Sequence, residues 1–461
     1  MATAHRLDPT ILREYDIRGI VGDTLTPADV TAIGRAFGSM AIDEGCRSVA
    51  VGYDGRLSSP DLEAALVEGL MSTGLDVKRV GLGPSPMLYF ATHHLPTDAG
   101  VMITGSHNPP DYNGLKMVVG GRAFFGEDIQ ALGARAVSGE FHAGAGTESS
   151  HDVADAYVAR LLQDLDMDDL TVAWDPGNGA AGGITEALTA RMPGRHVLIN
   201  ATIDGTFPAH HPDPTVEANL VQLKELVAGE VCDLGIGFDG DGDRIGVIDG
   251  HGRVLWGDQL LVLLAHEVLE DEPGAIIICD VKGSRVFTDE ITRMGGRPML
   301  WKAGHSHIKA KMAEVGSPLA GEMSAHIFFK HRYYGYDDAL YAAVRLLSGL
   351  KRRGASLAEL FDALPKTVST PEIRFDCAED RKFAVIDEAR ERLASIGGAD
   401  VLDIDGVRVE TEDGWWLLRA SNTQAALVAR CESGTEDGLE RLKTQVSEQL
   451  QASGVEPPAF D

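Results

Sequence analysis

The stretch Gly100-Val-Met-Ile-Thr-Gly-Ser-His-Asn-Pro-Pro110 is apolar up to Thr104 and then turns small and polar. A short apolar run bounded by turn residues reads as a buried strand. Asn108, Pro109 and Pro110 keep a helix from starting at once. Such a strand presents Ser106 and His107 at a sheet edge, where α/β proteins place chemistry. Ser106 is a candidate nucleophile. It does not sit in the Gly-x-Ser-x-Gly elbow of esterases, because Thr104 and Asn108 occupy the glycine positions. Taken alone, the dipeptide reads as a turn rich in small polar residues.

The surroundings give it a frame. A helix over Pro27 to Glu44 carries Val30, Ile33, Phe37 and Ile42 near helical spacing. Val49 to Tyr53 reads as a strand with Asp54-Gly-Arg-Leu-Ser-Ser-Pro60 as its exit loop, and helix 61–73 with strand 76–81 completes a βαβ unit. Asn113 to Val119 brings Lys116 back towards the Ser106 loop. Upstream, Arg13-Glu-Tyr-Asp-Ile-Arg-Gly19 offers Tyr15 and Arg18. Arginine donates bidentately to phosphate oxygens, though a surface ion-pair loop is the plainer reading. Glycine-rich sequence near 139–146 marks a first boundary.

Strand 170–174 runs into Asp175-Pro-Gly-Asn-Gly-Ala-Ala-Gly-Gly183. Gly177, Gly179 and Gly182 match the dinucleotide fingerprint, with Asp204 at about the right distance. Asp175-Pro176, Pro208 and Pro212 fit that reading poorly, so a glycine-permitted turn without ligand is expected. After helix 216–228, strand Cys232 to Phe238 exits into Asp239-Gly-Asp-Gly-Asp-Arg244. Here three carboxylates alternate with glycines and can face one point. They repel unless a cation sits among them. Oxygen-only ligation favours Mg2+ or Ca2+. An EF-hand is excluded, since the sixth position is Arg244 and the twelfth Gly250. Mg2+ is preferred because few protein ligands leave room for a phosphate oxygen.

A third unit holds strand Ile276 to Val281, the loop Lys282-Gly-Ser-Arg285, helix 285–294, strand 298–301 and a loop with His305. In Pro318 to Phe328, Glu322, Ser324 and His326 alternate, so an extended chain would point them to one side and suit them to a vicinal diol. Ser106, Asp239 and Glu322 thus each follow a strand, a weak structural repeat. Leu364-Pro-Lys366 and Ser369-Thr-Pro371 read as a linker. Beyond it, helix 380–395, strands 401–404, 407–411 and 425–431, and helix 435–451 make a small α+β domain. Leu439, Leu442, Val446 and Leu450 share one helix face. Its loop Arg419-Ala-Ser-Asn-Thr423 gathers a guanidinium, two hydroxyls and an amide, as an anion trap does, or forms a plain hairpin turn.

Length and charge exclude other classes. A chain of 461 residues exceeds a single core. The net charge of −29 argues against nucleic-acid or anionic-membrane surfaces, and an anionic substrate would need a local basic cluster. No stretch is apolar enough to span a membrane, and Met1 to Arg6 lacks a signal-peptide core. Five scattered cysteines without a Cys-x-x-Cys pair suggest neither disulfides nor structural zinc. The expected setting is the cytoplasm. A monomer is expected, since no long apolar face advertises an interface.

Together these motifs resemble the α-D-phosphohexomutases, most closely the bacterial phosphomannomutase/phosphoglucomutase group. The resemblance rests on Tyr15-Asp-Ile-Arg-Gly19, Thr104-Gly-Ser-His-Asn-Pro109, Asp239-Gly-Asp-Gly-Asp-Arg244, Gly321-Glu-Met-Ser-Ala-His326 and Arg419-Ala-Ser-Asn-Thr423, in order along the whole chain. It implies three similar mixed-sheet α/β domains plus a C-terminal α+β domain like the TATA-binding-protein fold, around a central cleft. The expected domains are 1–150 (phosphoserine), 151–253 (metal), 254–368 (sugar) and 369–461 (phosphate). It implies reversible phosphate transfer between C1 and C6 of hexose phosphates, mannose and glucose alike, with glucose 1,6-bisphosphate as activator and intermediate. By motif, Ser106 would be the phosphoserine. Asp239, Asp241 and Asp243, with the Ser106 phosphate, would hold Mg2+. Glu322 and Ser324 would bind sugar hydroxyls. Arg419, Ser421, Asn422 and Thr423 would hold the non-reacting phosphate, helped by Tyr15, Lys282 and His305. Arg18, His107, Lys116, Arg244 and His326 would surround the transferred phosphate. Two positions depart from the pattern: Ala325 replaces a usual glycine, and Gln424-Ala-Ala426 replaces a proline-containing segment. Within the family, a phosphoglucosamine mutase is disfavoured by Asn422 and Met323. A Mg2+-dependent sugar phosphatase is the rival of another class.

Overall fold

The computed structural model describes residues 4–396, 400–421 and 425–460. They form two compact units, Met1–Leu264 with Ser324–Leu360, and Ala265–Met323 with Phe361–Asp461.

The first unit contains two mixed sheets. One has strands β1 (Ile17–Ile20), β2 (Ser48–Tyr53), β3 (Asp76–Leu82), β4 (Ala99–Ile103), β5 (Tyr112–Val119), β6 (Arg122–Ala123) and β7 (Glu148–Ser150), in the order β1-β5-β4-β2-β3-β7, with β6 on β5. β4, β2, β3 and β7 run parallel, while β5 is antiparallel to β4 and β1. The other has β8 (Thr171–Asp175), β9 (Arg195–Leu198), β10 (Leu234–Phe238), β11 (Ile245–Asp249) and β12 (Val254–Leu255), in the order β12-β11-β10-β8-β9. Isolated bridges Arg244↔His326 and Phe328↔Asp337 also lie within this unit.

The first sheet packs on helices Pro27–Asp43 and Ser59–Met71. Thr26 and Asp29 form a reciprocal capping box that starts the first of these helices. The two helices approach closely because a Cβ on Gly69 would lie 2.4 Å from the Thr31 carbonyl oxygen. The 139–146 stretch is tied to this layer: the Gly144 and Gly146 amides donate to the carbonyls of Ser72 and Met71.

In the second unit, β13 (Ile276–Asp280), β14 (Arg297–Trp301) and β15 (Leu319–Gly321) are parallel, with β13 central. β16 (Ile327–Phe329) follows in sequence and belongs to the first unit. The C-terminal part pairs β17 (Val368–Ser369), β18 (Ile373–Asp376), β19 (Asp400–Leu402), β20 (Val407–Thr411), β21 (Gly414–Ala420) and β22 (Ala426–Ser433) antiparallel, in the order β17-β22-β21-β20-β19, with β18 also on β22. Leu439, Leu442, Val446 and Leu450 of helix Glu436–Ala452 are all buried against it, as their spacing predicts.

Four expectations change. Helix 216–228 begins as a 3-10 turn, Glu217–Leu220, and becomes α-helical over Val221–Gly229. Residues 323–325 turn rather than extend, with Ala325 in the left-handed region at φ 68°. The stretch read as a linker contributes β17, because β22 supplies the pairing partner that the flanking prolines obscure. Helix Ser85–His94 is unanticipated: its Ser85 to Ala91 face is buried all round, so no polar stripe announces it. All five cysteines are free thiols. Among the described residues no helix is long and apolar enough to cross a membrane.

Candidate active site

Ser106 stands just past β4, on a loop closed by its own side chains. Its amide donates to Thr104 Oγ1 at 2.8 Å, and Asn108 N donates to the Gly105 carbonyl at 3.0 Å. Ser106 itself takes the left-handed region, φ 50°, an uncommon place for a residue with a Cβ. Its hydroxyl donates to Asp239 Oδ2 at 3.2 Å and lies 3.2 Å from His107 Nδ1. The first sheet thereby delivers the serine to the acidic loop that follows β10.

That loop is folded by its own first carboxylate. Asp239 Oδ1 accepts from the amides of Asp243 at 3.0 Å and Arg244 at 3.1 Å. Gly242 supplies the positive φ of 74° that the curl needs. All three aspartates are fully buried, and one oxygen from each lies within 4.8 Å of the others. Asp241 Oδ2 accepts from Lys116 Nζ at 2.7 Å and from Ser85 Oγ, and Lys116 also pairs with Asp243. Lys116 reaches them because β5 pairs Lys116 with Met102 of β4. His326 Nε2 lies 3.2 Å from Asp243 Oδ1 and 3.5 Å from Arg244 Nε. Arg244 also approaches Asp213 at 3.7 Å, and Arg18 pairs with Asp16 and Asn108.

The electrostatics follow from burial and proximity. Burial, with Asp243 and Asp241 nearby, pushes the Asp239 carboxyl well up. Burial acts the same way on Asp243, but Lys116 and His326 outweigh it and hold that carboxyl well below its usual range. Burial would lower the Lys116 ammonium; Asp241 and Asp243 overcome it and raise the group well above the ordinary lysine range. Burial and then Arg244, Arg18, Lys116 and His326 hold the His107 imidazole well below its usual value. In a chain of charge −29, the cations near Ser106 are each held by an aspartate: Arg18 by Asp16, Lys116 by Asp241 and Asp243, and Arg244 by Asp213.

The acidic loop fits a hard cation. Its donors are all carboxylate oxygens, and among the described residues Asp241 Oδ1 is buried without a hydrogen-bond partner. Asp243, His326 and Asp337 form a second grouping of ligand-type atoms beside it.

In the second unit, Glu322 and Arg419 are linked through residues 303–305, next to His305. Glu322 Oε1 accepts from the Gly304 amide at 2.6 Å. Asp405 accepts from the Ala303 amide at 3.1 Å and pairs with Arg419 at 2.9 Å. His305 opens the next helix and is buried. Lys282 Nζ lies 3.1 Å from Glu372, and Asp280 accepts from the Lys282 and Met323 amides. The Ser421 carbonyl accepts from Lys382 Nζ at 2.7 Å. Asn422 and Thr423 lie outside the described residues. Tyr15 and Ser324 belong to the first unit, where Ser324 Oγ is 3.3 Å from His326 Nδ1.

Comparison with known proteins decides the family. Models of the phosphoglucomutase/phosphomannomutase α/β/α domains I, II and III match residues 9–142, 155–252 and 256–368, and that of the C-terminal domain matches 372–449. The chain belongs to this family. A phosphomannomutase/phosphoglucomutase of Pseudomonas aeruginosa is 46% identical over 452 residues, covering 98% of this chain and 97% of that one. A phosphoglucomutase of Neisseria gonorrhoeae is 40% identical over 439 residues, covering 94% and 95%. The crystal structure of a phosphoglucomutase/phosphomannomutase family protein from Burkholderia thailandensis superposes with a TM-score of 0.92 at 42% identity, over 99% of each chain.

The glycine-rich loop after β8 packs directly on the acidic loop. Ala180 N donates to the Gly240 carbonyl at 2.9 Å, and a Cβ on Gly179 would lie 2.8 Å from that oxygen. Sequence reasoning missed Ser85, Asp213, Asp280, Glu372 and Asp405, all polar partners of the expected residues. One signal was available: β2, β8 and β13 are each followed by or finish in an aspartate, at Asp54, Asp175 and Asp280, and each accepts from the amide two residues on.

Proposed function

We propose that the chain reversibly moves a phosphoryl group between O1 and O6 of glucose and mannose phosphates, through phosphoserine at 106 and a hexose 1,6-bisphosphate. The observation that carries the reading is the Ser106 hydroxyl at 3.2 Å from Asp239, beside a lysine shared by Asp241 and Asp243. The relatives' names supply the substrate class.

In the forward step the P–Oγ bond of phosphoserine breaks and a P–O bond to the free sugar hydroxyl forms. His326 takes the hydroxyl proton, and Lys116, held protonated by its carboxylates, offers a proton to the departing Oγ. Arg18 and Arg244 neutralise charge on the phosphoryl oxygens, and His107, kept neutral, lines Ser106. Asp239, Asp241 and Asp243 would hold Mg2+, which when bound supplies further stabilisation of phosphoryl charge. The bisphosphate turns end for end, and its other phosphate returns to Oγ by the reverse of the same bond changes. Arg419, Ser421, Asn422 and Thr423, with Tyr15, Lys282 and His305, hold the phosphate that does not react. Glu322 and Ser324 read O3 and O4, which glucose and mannose share, so both sugars are accepted.

A coupled mutase assay with Mg2+ and a trace of glucose 1,6-bisphosphate, run on both hexose 1-phosphates, tests this. Comparable turnover of both, abolished in Ser106→Ala, is expected. Phosphate release without isomerisation would favour a phosphatase, and turnover of glucosamine phosphate alone a phosphoglucosamine mutase.

A further inference from the structure

Arg56 has no role in the site described so far, yet it is 1% exposed and lies beneath the Ser106 loop. Its Nη2 donates to the carbonyls of Ser106 at 2.8 Å and Asn108 at 2.6 Å. Its Nη1 donates to those of Pro109 at 2.5 Å and Tyr112 at 3.0 Å. One rigid guanidinium therefore ties down four carbonyls of the segment that carries Ser106, a task suited to its planar fork. Asp54 completes the device: it takes Arg56 Nε at 3.2 Å and the Gly105 amide at 3.1 Å. Gly105 leaves room for it, since a Cβ there would lie 2.4 Å from Arg56 Cζ.

The other face of the guanidinium is roofed from the second sheet's connections. The Phe207 ring sits 5.1 Å from Arg56 Cζ, on a turn where Asp204 N donates to the Asn178 carbonyl. Asp280 repeats half of the arrangement in the second unit. It ends β13, where Asp54 comes just after β2, and accepts from the backbone amide of Met323, as Asp54 does from Gly105. The fold thus uses an aspartate at the end of one strand to hold the functional loop beyond its parallel neighbour.

We infer that Arg56, oriented by Asp54, is a positioning residue for phosphoryl transfer: it holds Ser106 in its left-handed conformation facing the acidic loop. This rests on the reading of Ser106 as the phosphoryl carrier. Arg56 touches no substrate, so its loss misplaces Oγ without removing a sugar contact.

The test compares wild type, Ser106→Ala, Arg56→Met, Arg56→Lys and Arg56→Gly in the mutase assay with glucose 1-phosphate, below the melting temperature of each. Arg56→Met is expected to lower kcat by about 100-fold with KM within about threefold of wild type. Arg56→Lys keeps the charge but cannot span four carbonyls, and a kcat loss of about 30-fold is expected. Low guanidinium chloride should restore kcat to Arg56→Gly saturably, where sodium chloride at equal ionic strength does not. Wild-type kcat in Arg56→Lys overturns the inference, and this variant decides if the smaller side chains prevent folding. An inactive wild type, or an active Ser106→Ala, would instead sink the phosphoserine reading itself.

Discussion

Gly240 and Ser106 meet backbone to backbone: a Cβ at position 240 would stand 2.4 Å from the Ser106 carbonyl oxygen. The serine loop and the acidic loop come from different sheets, and this contact sets their separation. Gly240→Ala must push the loops apart, because a backbone oxygen has no rotamer to yield. The expected loss is about 2 kcal/mol of stability and about tenfold or more in kcat, read by urea unfolding and the mutase assay. Wild-type values in both would show that the loops do not touch there.

Lys116 stabilises two buried carboxylates at once. Lys116→Met leaves them without that cation, and breaking a buried ion pair from one side costs about 3–5 kcal/mol. Added Mg2+ should raise the melting temperature of the variant more than that of wild type. Equal shifts would mean that the cation and the ammonium do not share the same carboxylates.

Chelation by EDTA should abolish activity, by about 100-fold or more, while far-ultraviolet circular dichroism stays unchanged. The reason is that Lys116, His326 and backbone amides already compensate most of the acidic loop. Collapse of the fold on chelation would contradict that accounting.

Ala325 pays for a left-handed backbone, φ 68°, in a position where glycine would be unstrained. Ala325→Gly should stabilise the protein by about 0.5–1 kcal/mol, the strain relieved less the added unfolded-state entropy. Chemical denaturation checks this, with kcat expected to stay within about twofold.

Glu372 gives a pH signature. Burial would raise its carboxyl, but Lys282 and Arg374 outweigh that and lower it to about 2. A depressed acid contributes stability that is present above its unfolded value, 4.5, and is lost as pH falls through about 2. Wild type should therefore exceed Glu372→Gln in urea stability at pH 7, by on the order of 3 kcal/mol. The gap should narrow steadily below pH 4.5. A gap independent of pH would assign the effect to packing.

The chemistry-bearing loops were legible because each is short and local. Ser106 follows an apolar run, and Asp239 to Asp243 alternate with glycine, so neighbouring residues alone disclose strand, turn and charge. The C-terminal helix face was legible for the same reason. Helix Ser85–His94 and strand β17 were not, since one is buried all round from Ser85 to Ala91 and the other exists only through its pairing with β22.

By itself the sequence determined the order of the motifs, the resemblance they carry and the residue types of the site. Only the tertiary structure decided that Lys116 bridges Asp241 and Asp243, that the glycine-rich loop after β8 props the acidic loop, and that Arg56 underpins Ser106. Those partners are 50 to 127 residues apart in the chain. No local periodicity encodes such a separation; it is set when sheets pack and buried charges must find counterparts.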